Sequence, residues 1–156
     1  MLQLDSVTSF LRVKLGDAAV GLPAMAVQQI VRAVAIVPLP GAPPIVEGAV
    51  NVRGTVVAVV DVRARLGLPT CALDPDQFLV LVTAGSRTLA IRVDEVDDLV
   101  DVPDGDVTMQ SELSPALRRL SGLAARADGV LALYDVEAFV SQAEAEALDA
   151  ALAARS

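Results

Sequence analysis

The feature that most constrains the fold is a phrase that occurs twice. Residues 56–62 read Val-Val-Ala-Val-Val-Asp-Val, and residues 130–136 read Val-Leu-Ala-Leu-Tyr-Asp-Val, so the two align without a gap. In each copy an apolar run typical of a buried strand leads into an aspartate that can cap a helical turn. Any two Val- and Leu-rich β meanders look alike, but sheet chemistry does not require Asp-Val after each core strand. We therefore predict a duplicated β-rich unit, with copies at about 8–68 and about 77–140, in a single domain covering residues 1–156.

Hydrophobic alternation and turn residues predict most elements of the chain. Residues 10–15 place Leu11, Val13 and Leu15 on one face of a strand, with Arg12 and Lys14 on the other. Further strands are predicted at 18–22, 34–39, 55–60, 77–82, 87–93 and 130–134. Helical segments are predicted at 44–48, at 62–66 between the cap Asp61 and the stop Gly67, at 113–120, and at about 142–154 after a Ser141–Glu144 capping box.

Composition and charge exclude several classes of protein. The chain is 54% hydrophobic, but charged residues interrupt every candidate membrane span, and residues 33–46 contain four prolines. A formal net charge of −8 opposes binding to nucleic acid or anionic lipid. The single cysteine, Cys71, allows no internal disulfide, and no signal peptide is visible at residues 1–5. We expect a cytoplasmic protein that neither binds nucleic acid nor inserts into the membrane.

The inventory of catalytic residues is small. The chain has no histidine, so a Ser-His-Asp or Cys-His nucleophile cannot form, and one cysteine cannot build a structural zinc site. No glycine-rich loop leads into a helix, so a phosphate cradle is not predicted. The acidic residues at 94–106 lack the spacing of a calcium-binding loop, which favours solvated strand ends and turns. We predict a protein that is not an enzyme and has no catalytic residues, metal site or cofactor.

Seven short motifs occur along the chain in one order. They are Val-Gln-Gln-Ile at 27–30, Ile-Val-Glu-Gly at 45–48, Asn-Val-Arg-Gly at 51–54, Val-Val-Asp-Val-Arg at 59–63, Val-Asp-Glu-Val at 93–96, Leu-Ser-Gly-Leu at 120–123, and a proline-rich strand end between the first two. Their order resembles that of the CheW family, the adaptors of bacterial chemoreceptor arrays, over roughly residues 8–150. The resemblance implies a mainly β fold: two SH3-like five-stranded β-barrels packed together, with short helices and a C-terminal α-helix. It also implies a non-catalytic scaffold that bridges receptor tips to the histidine kinase CheA and is recruited from the cytoplasm to membrane receptor arrays.

The resemblance also implies two sets of binding residues. The receptor tip is expected in a groove formed by Val27, Gln29, Gly48, Asn51, Arg53 and Gly54. The kinase regulatory domain is expected at Val96, Leu99 and Gly122, and residues 109–113 are a weaker candidate for contacts between barrels. At position 29 this chain has Gln, where an acidic residue is common in the family. Ordinary core packing is the competing interpretation for Val96 and Leu99, and a turn requirement is the competing interpretation for Gly48 and Gly54.

Three functions remain open from the sequence. The favoured one is a free-standing adaptor between chemoreceptors and CheA. The second is a CheW-like module of another chemosensory array, serving motility or pili, or a regulatory fragment of CheA. The third is a small ligand-binding β-barrel, although the sequence offers no phosphate loop and no basic or aromatic pocket.

Overall fold

The part of the chain described by the structure folds into eleven strands and two α-helices. The computed structural model describes residues 7–33, 35–69, 71–109, 120–126 and 129–155. The strands are β1 (Val7–Leu15), β2 (Ala18–Pro23), β3 (Val27–Arg32), β4 (Val46–Val52), β5 (Thr55–Val60), β6 (Phe78–Ala84), β7 (Arg87–Val93), β8 (Glu95–Pro103), β9 (Val107–Met109), β10 (Leu120–Arg126) and β11 (Gly129–Tyr134). The helices are α1 (Val62–Leu66) and α2 (Gln142–Arg155), and short 3-10 turns occupy Ala24–Ala26, Asp104–Asp106 and Val136–Phe139.

The strands form two sheets. The first sheet has the order β8-β1-β2-β11-β10-β9, and the second has the order β3-β6-β7-β5-β4. Most neighbours are antiparallel, but β11 runs parallel to β2, and β5 runs parallel to β7. The predicted mainly β architecture of two packed five-stranded SH3-like units with a C-terminal helix is confirmed, and β9 adds a sixth strand to the first sheet. In the described residues the end strands of a sheet do not pair with each other, so hydrogen bonds do not close either sheet into a ring.

The two halves of the chain exchange their hairpins. The β1–β2 hairpin of the first half lies in the sheet with β10 and β11, whereas the β6–β7 hairpin of the second half lies with β4 and β5. When each strand of one half is replaced by its counterpart in the other, the order β8-β1-β2-β11-β10 becomes β3-β6-β7-β5-β4. This two-fold topology agrees with the repeated phrase, although each sheet takes strands from both copies. The boundaries of the copies stay a sequence prediction.

The central strands carry apolar residues on both faces, and residues on both faces are buried. The largest core cluster lies between the sheets and takes Val60, Val80, Ile91 and Tyr134 from four different strands. The alternate residues of the same strands point the other way, into a smaller cluster inside each unit. The inner cluster of the second sheet contains Val50, Val57, Val59, Leu79, Leu81 and Ala90, and that of the first contains Phe10, Val102, Ala124, Leu131 and Leu133.

The aspartate after each copy of the core strand acts as a helix cap, as predicted. The Asp61 carboxylate accepts a hydrogen bond from the backbone N–H of Ala64 (3.1 Å), and α1 ends at Gly67 with a φ of 72°. In the second copy, the Asp135 carboxylate accepts from the N–H of Glu137 (3.0 Å), and the turn that follows is a 3-10 turn. The repeat in sequence is therefore also a repeat in local conformation.

Two predicted elements differ in the structure. The strand predicted at 34–39 is reduced, in the described residues, to a single bridge between Val37 and Ala49, because the prolines that follow cannot donate ladder hydrogen bonds. The helical turn predicted at 44–48 is also wrong: Pro44 and Ile45 form a turn, and Gly48 already lies within β4. The first seven residues of the helix predicted at 113–120 lie outside the described residues, and the last, Leu120, begins β10.

Helix α2 covers the large core cluster. Its capping box is confirmed, since the N–H of Glu144 donates to Ser141 Oγ (3.1 Å) and the N–H of Ser141 donates to Glu144 Oε1 (2.9 Å). Leu148 and Ala151 are buried in the core. Among the described residues, no helix combines the length and the apolar character needed to cross a bilayer.

Candidate partner-binding faces

The β4–β5 hairpin carries three of the predicted receptor residues in one tight turn. Val52 pairs with Thr55, which leaves Arg53 and Gly54 as a two-residue loop. Their φ angles are 51° and 87°, the pair of positive values that a type I′ turn requires. Asn51 Oδ1 accepts a hydrogen bond from the N–H of Gly54 (2.7 Å). Arg53 is exposed and makes no hydrogen bond or ion pair with the described residues, so its guanidinium is free to bind a partner.

Gly48 is buried in β4 at a point of close backbone approach. A Cβ atom at this position would lie 2.3 Å from the carbonyl oxygen of Val37 and 2.7 Å from the side chain of Ile36. The glycine is therefore needed so that the segment after β3 can form its bridge with Ala49. Gly48 supports the hairpin through packing, and its backbone is covered.

Val27 and Gln29 lie on β3, at the opposite edge of the second sheet from the hairpin. Both are half-buried, and the exposed Ile30 follows them. The structure therefore brings Gly48, Asn51, Arg53 and Gly54 together on one hairpin and places Val27 and Gln29 on a separate strand. The exposed apolar residues Ile30, Val37 and Val56 of this sheet were not among the predicted site residues. Only the tertiary structure reveals their exposure, because exposure depends on which other segments cover each residue.

Strand β8 forms an edge of the first sheet and carries two of the predicted kinase residues, Val96 and Leu99, which differ in exposure. Val96 is half-buried against the large core cluster and pairs with Val13, so core packing is correct for this residue. Leu99 is 62% exposed, which contradicts the core-packing interpretation at that position. Leu99 pairs with Leu11 of β1, and the register between β8 and β1 shifts between this pair and the pair of Val96 with Val13. A groove of about 750 Å³ runs along residues 96–101.

Carboxylates surround Leu99 on the exposed edge. Asp97 pairs with Arg12 (Nε to Oδ2, 3.6 Å), and Asp101 accepts a hydrogen bond from Ser9 Oγ (2.6 Å). Asp98, next to Leu99, is exposed as well. The edge therefore presents one apolar side chain in an acidic frame, which also discourages unspecific strand pairing.

Gly122 does not share a face with Val96 and Leu99. It is a buried residue of β10, where it pairs with Leu133 on one side and Met109 on the other, at the far end of the first sheet from β8. Its position indicates a packing role. Of the weaker candidate segment at 109–113, Met109 ends β9, and residues 110–113 lie outside the described residues.

One family model matches this chain over residues 9–144, and it is the model of the CheW-like domain. The chain belongs to the CheW-like family. The resemblance identified from the motifs is therefore confirmed.

Several relatives extend the match over most of the CheW-like domain. The chemotaxis protein CheW of Klebsiella aerogenes is 26% identical over 142 residues, which cover 90% of this chain and 86% of the relative. That of Rhizobium meliloti is 28% identical over 136 residues, covering 86% and 88%. Protein FrzA of Myxococcus xanthus is 29% identical over 94 residues, covering 60% and 59%. In fold, the domain is similar to the scaffolding protein TtCheW from Thermoanaerobacter tengcongensis, with a TM-score of 0.74 and 20% identity over 83% of this chain and 90% of that one.

A polar network that the sequence did not reveal lies inside the CheW-like domain. Arg92 is only 8% exposed and pairs with Glu47 through Nη2 and Oε1 (2.5 Å). Arg63, also buried, forms an ion pair with Asp94. Gln77 joins the two pairs, since its Oε1 accepts from Arg92 Nη1 (2.9 Å) and its Nε2 donates to Asp94 Oδ1 (2.8 Å). Glu47, Arg63 and Asp94 each belong to one of the seven motifs, but they are far apart in the sequence, so no local pattern indicates that they meet.

Two carboxyl groups of the domain have lowered pKa values. Burial by itself would raise the pKa of Asp94, but hydrogen bonds from Gln77, the N–H of Gly16 and Arg63 outweigh it and lower the pKa. Burial likewise opposes the lowered pKa of Glu144, which results from hydrogen bonds from Arg65 and Ser141. Each charged carboxylate is therefore favoured in the folded state.

We expect the CheW-like domain to lose stability on acidification. An unfolded carboxyl group with a higher pKa takes up its proton first, so the stabilisation is complete above the unfolded value and is lost as pH falls through the lower folded value. The free energy of unfolding should therefore decrease below about pH 5, as measured by urea denaturation at about pH 6 and about pH 3. Asp94→Asn and Glu144→Gln should each reduce the dependence of the free energy of unfolding on pH. If both variants keep the pH dependence of the natural protein, these two carboxyl groups are not its cause.

Among the side chains that the structure describes, no three Cys, Asp or Glu groups come together in a way that could hold a metal ion. The acidic residues of β8 and of the 3-10 turn Asp104–Asp106 lie along a strand edge and in a turn. What the domain offers is two exposed faces: the β4–β5 hairpin with its free guanidinium, and the acidic β8 edge around Leu99.

Proposed function

We propose that this protein is a non-catalytic adaptor that couples chemoreceptors to the histidine kinase CheA in signalling arrays. The observation that carries the proposal is the match to the CheW-like domain model across residues 9–144. Full-length relatives are named chemotaxis protein CheW, and a protein of the same fold is named a scaffolding protein. The protein acts at the cytoplasmic tips of membrane receptors, to which it is recruited.

The receptor binds at the second sheet, in contact with Val27, Gln29, Asn51, Arg53 and Gly54, while Gly48 holds the hairpin in place. An amphipathic receptor helix offers an apolar stripe, and the exposed Ile30 and Val56 are suited to receive it. Arg53 contributes a planar guanidinium that can form two parallel hydrogen bonds with a carboxylate of the helix. The hairpin supports this assignment because its turn is fixed by the hydrogen bond from the N–H of Gly54 to Asn51 and leaves Arg53 exposed.

The kinase regulatory domain binds along β8, with Leu99 as the apolar contact. Val96 holds the strand against the core, and Gly122 acts at a distance through the packing of β10. The exposed Leu99 supports this assignment, since an isolated large apolar side chain in a polar frame is the arrangement found at the centre of many interfaces.

The adaptor works by effective concentration. Holding the kinase and the receptor on one small domain converts their encounter into an intramolecular event. The chain contains no histidine, so it supplies neither an imidazole base nor a phosphorylatable histidine. A direct test is co-sedimentation of this protein with receptor-containing membranes and purified CheA. Capture of CheA only when both other components are present supports the adaptor; a failure to bind either partner contradicts it.

We expect kinase activity to pass through a maximum as this protein is titrated. At low concentration each added molecule joins one receptor to one kinase, whereas an excess occupies the two partners separately. Autophosphorylation of CheA, measured with receptor membranes over a wide range of adaptor concentrations, should rise and then fall. Without receptor, the protein should stimulate the kinase little. Strong stimulation that saturates in the absence of receptor would show that the protein acts on the kinase alone.

A further inference from the structure

A continuous chain of polar side chains joins the first strand of the receptor hairpin to the residue that precedes the kinase strand. It begins at Glu47 of β4, passes through Arg92 of β7 and Gln77, and ends at Asp94, which directly precedes β8. The links are Arg92 Nη2 to Glu47 Oε1 (2.5 Å), Arg92 Nη1 to Gln77 Oε1 (2.9 Å) and Gln77 Nε2 to Asp94 Oδ1 (2.8 Å). We refer to Glu47, Arg92, Gln77 and Asp94 as the polar relay.

Both ends of the relay lie at structurally sensitive positions. At one end, the pairing of β4 with β5 shifts register between Val46 and Gly48, so Glu47 is the extra residue of a bulge. Gly48 and the Asn51–Gly54 turn follow on the same strand. At the other end, Asp94 Oδ2 accepts from the N–H of Gly16 (2.5 Å), which ties the β1–β2 turn to the start of β8. The relay therefore joins the start of β4, the strand that leads to the hairpin turn, to the residue before β8.

Burial and several partners fix the orientation of the Gln77 amide. Gln77 is 5% exposed; its Oε1 accepts from Arg92 and from the N–H of Asp74 (2.9 Å), and its Nε2 donates to Asp94 and to Cys71 Sγ (3.4 Å). Reversing the amide would place its NH₂ group against the guanidinium of Arg92 and its oxygen against the carboxylate of Asp94. An unpaired buried charge is costly, so a displacement of Glu47 or Arg92 disfavours the bond to Asp94 as well.

Stability alone does not explain such a network. A buried ion pair contributes little compared with apolar side chains of the same volume, because removing both charges from water offsets their attraction. The carbonyl groups of Cys71 and Ala72 also accept from Arg92 (2.9 and 3.2 Å), which fixes the connection between the two halves of the chain to the same guanidinium. The network thus joins β4, β7 and the connection between the two halves of the chain.

We propose that the polar relay couples the two faces, so that occupancy of the β4–β5 hairpin changes the affinity of the β8 edge for its partner. The inference rests on the proposed adaptor function. Gln77 is the positioning residue at its centre, since it is buried and joins both ion pairs. Coupling of this kind is reciprocal: kinase bound at β8 must change receptor affinity at the hairpin by the same factor.

The first test uses the free protein and requires no partner. Glu47→Gln and Asp94→Asn are combined in a double-mutant cycle, and unfolding equilibria are measured in urea. We expect their effects on the unfolding equilibrium constant to be non-additive by at least about threefold, and additive in a Gln77→Met background. Additive effects in the natural background would show that the two ends of the relay do not communicate, and would overturn the proposal.

The second test measures the coupling itself. The affinity for the CheA regulatory domain is determined with and without a saturating receptor cytoplasmic fragment. We expect a change of at least about fivefold for the natural protein and of less than about twofold for Gln77→Met, with both separate affinities retained. Gln142→Met, a glutamine on the exposed start of α2, is the matched control and should keep the full coupling.

The outcomes separate this inference from the function on which it rests. If neither partner binds the natural protein, the adaptor function fails. If both bind but the natural protein shows no coupling, or Gln77→Met keeps it, the relay is wrong and the adaptor stands. Should Gln77→Met not fold, Gln77→Glu provides the test, because it still accepts from Arg92 but cannot donate to Asp94.

Discussion

Arg53→Glu is expected to abolish receptor binding while leaving the fold intact. Arg53 is exposed at the tip of the β4–β5 hairpin and free of intramolecular partners among the described residues, so its loss removes nothing from the folded state. Surface substitutions of this kind change the free energy of unfolding by about 0.5 kcal/mol or less. Reversing the charge at the centre of an interface, by contrast, should weaken binding by at least about thirtyfold. Co-sedimentation with receptor membranes measures the loss, and circular dichroism checks the fold.

The positive φ of Arg53 provides a matched control. Asn adopts this conformation more readily than Arg, and Asn-Gly is a preferred pair for a type I′ turn. Arg53→Asn should therefore keep or slightly increase stability while still weakening receptor binding, because the guanidinium is gone and the turn is not. If Arg53→Glu leaves the receptor affinity unchanged, the hairpin is not part of the receptor-binding site.

Leu99→Asp is expected to abolish kinase binding without unfolding the protein. A charge placed in a core costs several kcal/mol and would unfold the domain, but Leu99 is 62% exposed, so the charged side chain remains in water. At the β8 edge the substitution removes the single large apolar contact and adds a fourth carboxylate beside Asp97, Asp98 and Asp101. Affinity for the CheA regulatory domain should fall by at least about thirtyfold, and receptor affinity should change little.

Val130 allows the kinase face to be tested against general surface hydrophobicity. It is 61% exposed on β11, so Val130→Asp makes the same kind of change at an equally accessible strand position. Isothermal titration calorimetry with the regulatory domain should detect a loss only for Leu99→Asp. Equal losses in the two variants would indicate unspecific apolar contact, and a cooperative unfolding defect in Leu99→Asp would show that the strand packs differently.

Local interactions account for the elements that the sequence predicted. The Asn51–Gly54 turn, the Asp61 and Asp135 caps and the Ser141–Glu144 capping box each depend on residues within four positions of one another. The prediction of a strand at 34–39 was wrong for a reason that is also local: its prolines have no N–H to donate to a neighbouring strand. The alternation of residues 10–15 also predicted the buried face of β1, with Leu11, Val13 and Leu15 in the large core cluster.

The candidate faces were predicted less completely than the elements. Motif order led to the hairpin and to β8, but it could not distinguish a residue that supports a face from one that forms it. Gly48 and Gly122 are buried, Val96 is half-buried, and Arg53 and Leu99 are exposed. Exposure depends on which other segment lies over a residue, such as Val37 over Gly48, and that segment is fixed by long-range packing.

The sequence by itself determined the β-rich class, the duplicated strand-aspartate phrase, the tight turn and the family, because these follow from nearby residues and their order. Only the tertiary structure decided that each sheet takes a hairpin from the other half, through the parallel pairs of β2 with β11 and β5 with β7. It also brought Glu47, Gln77, Arg92 and Asp94 within hydrogen-bond distance. The physical reason is that such contacts depend on the burial of apolar faces from both halves in one core, and no local pattern specifies which faces meet.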